Sequence, residues 1–183
     1  DTRIKVMNTR IDPKGVDRKA GVLIRTVDYT IGEQIIRRER QTVNMDSNFD
    51  QIKVIEHINP QTGEVLAKTT NSRFLGPIVL DGRYEEAKTG YWQVTKAGEA
   101  PVFENGSLRV TVEDSLGNKA VAWLDVQHMG AKKREVNTLT GAETNYYDFL
   151  AYIAMASEYK EKSGYSERMT LNKQTEQYNG RTV

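Results

Sequence analysis

Histidine is the residue best suited to proton transfer at neutral pH, and this chain has two, His57 and His128. A catalytic base needs an orienting partner on the same side of the backbone. Glu56 directly precedes His57, but neighbouring residues of a strand point to opposite faces, so this pair has the wrong geometry. His128 follows the last predicted strand. We interpret both histidines as surface or partly buried residues without a catalytic role.

Carboxylates form two groups that could belong to a binding site. Asp81, Glu85 and Glu86 make a loose acidic cluster. A glycosidase pair or a calcium site needs convergent oxygens, and the EF-hand spacing is absent, so we predict a solvated loop there. Residues 114–118 could hold calcium at a domain end, but hairpin-turn chemistry accounts for the same residues.

The composition excludes several kinds of chemistry. Zero cysteines exclude a disulfide scaffold, a thiol nucleophile, an iron–sulfur cluster and a thiolate zinc site, and two histidines exclude a three-histidine metal site. Ser107 and Ser115 lack a visible His–Asp partner set, and Walker A and G-x-G-x-x-G motifs are absent. We predict that the protein is not an enzyme and has no catalytic residue, cofactor, metal ion or small-molecule substrate.

Charge is nearly balanced overall but unevenly distributed along the 183 residues. There are 26 Lys+Arg against 25 Asp+Glu, a net charge of +1 that gives no global attraction to nucleic acid or anionic membrane. Residues 1–48 carry a net +3, residues 49–128 a net −3 and residues 129–183 a net +1. The flanks and the centre could complement one another within the chain or between copies.

Residues 1–48 are predicted to form strands. Residues 3–7 alternate polar and apolar, and 22–31 and 33–45 are continuous strand candidates, with a hairpin tip or bulge at Ile31-Gly32-Glu33. The second candidate contains Arg37, Arg38, Glu39 and Arg40, which places charges on both faces. We therefore predict an edge strand, or an arm that leaves the domain.

The same arginines raise the possibility of nucleic-acid binding. A nucleic-acid-binding sheet combines basic residues with interleaved aromatic residues. The nearest aromatic residues are Tyr29 and Phe49, one distant on each side. We favour a charged edge or a salt-bridge surface between subunits, with Arg37, Arg38 and Arg40 as contact residues.

Short alternating strands separated by turns continue through residues 49–128. A hairpin loop is predicted at 59–64, where Pro60 presets φ and Gly63 supplies a positive φ. Gly76-Pro77 interrupts an apolar segment, which predicts an edge or kinked strand. The turn spacing indicates a β-sandwich or barrel. The other strand candidates are 52–58, 65–70, 74–80, 91–95, 101–103, 108–112 and 120–126.

Residues 129–183 differ in character. Lys132-Lys133-Arg134 is a short basic link, and Thr140 and Glu143 match a capping box that predicts a helix from there to about residue 162. Its apolar stripe is wide enough to bury two sides, which favours an interface. The stripe contains Tyr146, Phe149, Leu150, Tyr152, Ile153, Met155, Ala156 and Tyr159. Residues 164–183 form a polar tail.

Residues 103–126 resemble the last hairpin of bacterial and phage immunoglobulin-like (Ig-like) repeats. The similarity lies in Phe103, Asn105-Gly106, the alternation of Val110 and Val112, and the turn 114–118. This resemblance implies an Ig-like sandwich. Similar modules occur in surface adhesins, secreted enzymes and phage structural proteins. There they act as spacers between domains, as adhesive domains or as decorations of a particle surface.

No apolar run approaches the roughly 18 residues of a membrane span, so no span is predicted. The chain begins with Asp1, so we expect that a signal peptide, pro-segment, initiator methionine or tag was removed upstream.

These observations predict a mainly β protein, an antiparallel Ig-like β-sandwich with N-terminal strands and one C-terminal α-helix. The predicted domains are an N-terminal β arm or hairpin (1–48), the sandwich (49–128), a basic link with an amphipathic helix (129–163) and the polar tail (164–183). We expect a structural component of a virion, assembling with its own copies or other structural subunits through Arg37, Arg38, Arg40, Tyr152, Met155 and Tyr159. The alternatives are a bacterial cell-surface or secreted adhesion module, and a nucleic-acid-binding β-barrel protein.

Overall fold

Residues 3–47, 51–128 and 130–146 are described by the computed structural model of the chain, and 63% of the described residues lie in β-strands. The prediction of a mainly β, antiparallel fold is confirmed. The strands are β1 (Lys5–Ile11), β2 (Val22–Ile31), β3 (Gln34–Asn44), β4 (Ile52–Ile58), β5 (Val65–Leu75), β6 (Ile78–Glu86), β7 (Trp92–Lys96), β8 (Val102–Glu104), β9 (Ser107–Asp114), β10 (Lys119–Asp125), β11 (Ala131–Asn137) and β12 (Glu143–Asn145). Short 3₁₀ turns occupy Pro13–Gly15, Met45–Ser47 and Val126–His128.

The chain divides into two compact units. The first is Ile4–Val94, and the second begins at Thr95 and includes Arg3. In the first unit, strands β1 to β6 follow one another in sheet order, each antiparallel to the next. The predicted hairpin tip at Ile31-Gly32-Glu33 is confirmed, because Gly32 has a φ of 61° between β2 and β3.

The prediction that the arginine-rich strand lies at a sheet edge is wrong, because β3 pairs with β2 on one side and β4 on the other. An interior strand can carry charges on both faces when each buried charge has a partner. Arg38 donates to Asp28 of β2 on one face. On the other face, Glu39 accepts a hydrogen bond from Tyr29, also of β2.

Asp28 is the most buried charge on its face, with a side chain only 3% exposed. Its carboxylate accepts three hydrogen bonds, two from Arg38 at 2.7 and 3.2 Å and one from Arg10 at 3.0 Å. Burial alone would raise the pKa of Asp28, but the hydrogen bonds from Arg38 and Arg10 outweigh burial and lower it. This carboxylate therefore ties β1, β2 and β3 together.

The predicted kinked strand around Gly76-Pro77 is a tight turn between two full strands. Gly76 adopts a φ of 55°, and Leu75 pairs with Ile78 across the turn. The solvated loop predicted for the acidic cluster is also wrong, because Asp81, Glu85 and Glu86 lie within β6. Strand pairing with β5 separates them in register, and Asp81 accepts hydrogen bonds from Arg73 instead of joining the other carboxylates.

In the second unit, β9, β10, β11 and β12 are consecutive antiparallel neighbours, and β8 pairs with β9. Its core includes the fully buried Leu108 and Ala122. The predicted turn at 114–118 is confirmed, since Asp114 Oδ1 accepts the backbone amides of Leu116 and Asn118, each at 3.0 Å.

The capping box predicted at Thr140 and Glu143 is wrong. Thr140 accepts the amide of Ala142 in a turn whose Gly141 has a φ of 78°, and Glu143 lies in β12. Arg134 of β11 donates to the Glu143 carboxylate at 2.8 Å. The Thr140 hydroxyl is therefore used in a turn and the Glu143 carboxylate in a cross-strand ion pair, so neither caps a helix. The predicted basic link 132–134 lies within β11.

Several predictions concern residues outside this description. The body of the predicted helix, including Tyr152, Met155 and Tyr159, and the polar tail 164–183 lie outside the described residues. The two facing sheets of an Ig-like sandwich are not shown among the described residues and stay a prediction.

Within the same residues, no helix has the length and apolar character required to cross a membrane.

We predict that Asp28→Asn lowers the free energy of unfolding by about 2–3 kcal/mol, because it removes a buried charge that accepts three hydrogen bonds. Asp81→Asn is the matched control: Asp81 accepts from Arg73 Nε at the same 2.7 Å, but its side chain is 30% exposed. Its loss should cost about 1 kcal/mol or less. Urea denaturation measures both, and equal losses would contradict the role assigned to Asp28.

Candidate functional site

A cleft of about 590 Å³ lies in the first unit. Strands β3 to β6 and the loops after β4 and β6 contribute its lining. The polar lining residues are Arg37, His57, Asn59, Gln61, Tyr84, Glu86, Lys88 and Thr89, and the apolar ones are Ile36, Ile58, Pro60, Leu66 and Ala67. A cleft of this size with mixed lining is within the range of small-molecule sites.

Two β-bulges bring neighbouring residues to the same cleft. The pairing of β2 with β3 passes from Tyr29↔Arg37 to Thr30↔Ile35, which leaves Ile36 as an extra residue. The pairing of β4 with β5 passes from His57↔Ala67 to Ile58↔Val65, which leaves Leu66 as an extra residue. A bulge interrupts strict alternation and redirects side chains. Both extra residues line the cleft together with the residue that follows each of them.

The loop after β4 has the structure that its sequence predicts. Asn59 Oδ1 accepts the backbone amides of Gln61 at 2.9 Å and Thr62 at 3.2 Å, and Gly63 has a φ of 78°. Gln61 Nε2 then reaches β3 and donates to the carbonyl of Ile35 at 3.3 Å. This bond fixes the loop over the bulged part of β3.

A buried carboxylate, Glu39, lies behind the cleft. Its residue is only 5% exposed, and its Oε1 accepts hydrogen bonds from Tyr29 at 3.2 Å and Gln41 Nε2 at 2.9 Å. Gln41 in turn accepts from Arg25 at 2.8 Å. These bonds hold Glu39 in a fixed position beside the cleft residues Arg37 and His57.

Arg37 contacts this carboxylate with its Nε, 3.3 Å from Glu39 Oε2. The Nε atom is buried and forms no aligned hydrogen bond, so the contact is an ion pair. The guanidinium carbon lies 4.0 Å from the centre of the Tyr29 ring, a cation–π distance. Arg37 is thus positioned by charge and stacking.

His57 pairs with Glu39 in register, whereas Glu56 pairs with Arg40 on the other face. The prediction that Glu56 and His57 diverge is confirmed. His57 Nε2 lies 2.9 Å from the Thr69 hydroxyl, and its Nδ1 lies 4.0 Å from Glu39 Oε2. Burial lowers the pKa of His57 and Arg37 adds to the decrease, while Glu39 opposes it. The imidazole is therefore neutral at pH 7.

Tyr84 and Glu86 form the part of the cleft that β6 supplies. Tyr84 donates to Glu86 Oε2 at 3.0 Å, and Thr89 donates to Glu86 Oε1 at 2.8 Å. Burial, assisted by the neighbouring Glu86, raises the pKa of Tyr84. The Tyr84 ring also contacts His57 edge to face, with centroids 5.7 Å apart.

The lining provides hydrogen-bond donors, acceptors and apolar surface. Among residues 3–47, 51–128 and 130–146, no three His, Asp or Glu side chains come close enough to hold a metal ion. Local sequence could not identify this site, because Glu39 is 18 positions from His57 and the bulges leave no local signal. The sequence offers only separate clues: the alternation of β3 places Arg37 and Glu39 on one face, while His57 and Glu86 stand out in different groups.

The remaining candidates from the sequence lie elsewhere. Arg38 and Arg40 are on the opposite face of β3 from Arg37, so the three arginines do not form one cluster. Arg40 is 47% exposed. In the second unit, His128 Nδ1 lies 2.9 Å from Asp125.

Comparisons with protein-family models, with curated proteins and with solved structures find no match to this chain.

We predict that stability decreases as the pH falls from 7.5 to 5. The folded-state pKa of His57 is below its unfolded value, so the unfolded chain binds a proton first and unfolding becomes easier below about pH 6.5. Urea midpoints at several pH values measure this effect.

The decrease should be smaller in His57→Gln. His128→Gln, which removes the other imidazole, should retain it. An unchanged pH dependence in His57→Gln would show that another group is responsible.

Proposed function

We propose that this chain is a non-enzymatic structural subunit of a large self-assembling particle, a phage or viral virion, in which it serves as a capsid, decoration or tail component. It acts by packing against its own copies or other structural subunits. The proposal rests chiefly on the exposed edge strand β1.

Among the described residues, β1 hydrogen-bonds with β2 alone. Residues 8–11 of this strand are exposed, and Ile11 is 56% exposed despite its apolar side chain. An open strand edge is a template for pairing with another chain. A subunit that assembles through strands or arms can use such an edge.

The charged face beside β1, formed by Asp12, Arg40 and Glu56, also supports packing. Arg40 lies 3.8 Å from both Asp12 and Glu56, and all three side chains are more than a third exposed. Exposed ion pairs with N–O distances this long contribute little to the stability of the folded chain. Arg40 can therefore exchange these partners for carboxylates of a neighbouring subunit at small cost.

The other proposed contact residues differ in what they can offer. Arg38 is committed to Asp28, and Arg37 to Glu39 and Tyr29, so both contribute mainly through the exposed parts of their side chains. Tyr152, Met155 and Tyr159 stay in the proposal because the apolar stripe in the sequence is wider than one helix face needs.

A bacterial cell-surface or secreted Ig-like adhesion module is the second candidate. The β9–β10 hairpin supports it, because the register is regular from Ser107↔Asp125 to Glu113↔Lys119. Asn105 and Gly106 also adopt φ values of 50° and 77°, which gives the turn into β9 that the resemblance to Ig-like repeats implies. We extend this to the proposal that residues 49–128 belong to an Ig-like sandwich. Nucleic-acid binding is the third candidate and has less support, since Arg37 and Arg38 are already paired.

We predict that the purified full chain forms species larger than a monomer, measured by light scattering and seen by electron microscopy. Arg40→Glu should weaken association by about tenfold or more, because it places like charges together at the interface. Arg109→Glu is the control, since Arg109 is similarly exposed (44%) and also contacts a carboxylate, Glu104.

A chain that stays monomeric at high concentration contradicts the proposed function. Equal weakening by Arg40→Glu and Arg109→Glu contradicts the role of the face beside β1.

A further inference from the structure

We propose that the cleft of the first unit binds a neutral carbohydrate, either free or as part of a larger glycan. This site is separate from the packing surface beside β1. The chemical class follows from three properties of the lining: its charge balance, its available hydrogen-bonding groups and its exposed apolar surface.

Charge balance disfavours a strongly ionic ligand. Arg37 is paired with Glu39, and Lys88 lies 3.4 Å from Glu64. The third charge of the lining, Glu86, has the opposite sign to both cations. A ligand of either charge would be attracted by part of this lining and repelled by another part. A neutral ligand avoids this conflict.

The available hydrogen-bonding groups include both donors and acceptors. The terminal nitrogens of Arg37 and the Nδ2 of Asn59 have no hydrogen-bond partner among the described residues. Each oxygen of Glu86 accepts one hydroxyl and can accept a second hydrogen bond. Sugar hydroxyls both donate and accept, so a polyol can satisfy the two kinds of group together.

Apolar side chains complete the match. Ile36 is 37% exposed and Leu66 is 43% exposed, and both line the cleft at the two bulges. Ile58, Pro60 and the Tyr84 ring add further apolar surface. A pyranose ring presents C–H groups on its faces and hydroxyls at its edge, which corresponds to this arrangement. A wholly apolar ligand would leave the polar groups of the lining without partners.

The test uses the ¹⁵N-labelled full chain carrying Arg40→Glu, which weakens self-association and so narrows the amide resonances, because Arg40 does not line the cleft. The ligands are four neutral disaccharides: maltose, cellobiose, lactose and N,N′-diacetylchitobiose. At least one should shift the amide resonances of cleft residues, with saturation in the millimolar range. Glucose should bind more tightly than glucuronate or glucosamine, which add a negative or a positive charge to the same single ring.

Leu66→Glu and Leu75→Glu provide a matched pair, because both leucines lie on β5 and are 43% and 42% exposed. Only Leu66 lines the cleft. Leu66→Glu should weaken sugar binding by about tenfold or more, and Leu75→Glu should leave it unchanged. The spectrum of each variant reports whether it folds, and Ile36→Glu replaces Leu66→Glu if the latter does not.

Three results would overturn the proposal: no shift of cleft amides by any of the four sugars, tighter binding of a charged analogue, or equal weakening by the two glutamate variants. A cleft occupied by a neighbouring copy would appear as concentration-dependent shifts of the same amides without sugar, and it would also overturn the proposal. The proposed packing function is judged separately, by particle mass and the Arg40→Glu variant.

Discussion

Burial of charge on both faces of β3 is the constraint on which the first unit depends. Asp28 and Glu39 are each about 5% exposed or less, and a carboxylate in that position destabilises the fold unless donors surround it. Donors on β1, β2 and β3 meet this requirement, so these three strands must keep one register. A shift of β2 by one residue would turn Asp28 away from Arg10 and Arg38 and would remove Tyr29 from Glu39.

This arrangement gives the two faces of one sheet different uses. On the Asp28 face, Arg40 and its two carboxylate partners are exposed and weakly held, as the proposed packing requires. On the Glu39 face, the same kind of network is buried and serves as a rigid support for Arg37 and His57 in the cleft. The proposed packing surface and the proposed sugar cleft therefore do not compete, because they share a strand and do not share side chains.

Local residue chemistry predicted the turns well and the strand environment poorly. The turn 114–118 and the bends at Gly32 and Gly63 depend only on residues within a few positions, which the sequence displays directly. The interior position of β3 depends on Asp28, ten positions from Arg38, and the cleft depends on four strands and two loops. Thr140 and Glu143 show another limit: a capping box and a hairpin turn use the same residue types, and the pairing of Glu143 with Arg134 decided between them.

The two bulges carry a consequence for how this sequence can change over time. Side chains of a strand alternate between the two faces of the sheet, and each extra residue reverses this alternation for the rest of its strand. In β3, the residues before Ile36 and those after it therefore follow opposite alternations. Deletion of one residue at Ile36 or Leu66 would restore a continuous ladder and leave the buried carboxylates in place. Deletion of one residue at most other positions of these strands would invert every side chain beyond it. Changes of length at the two bulges can therefore reshape the lining of the cleft, while the charged framework behind it remains fixed.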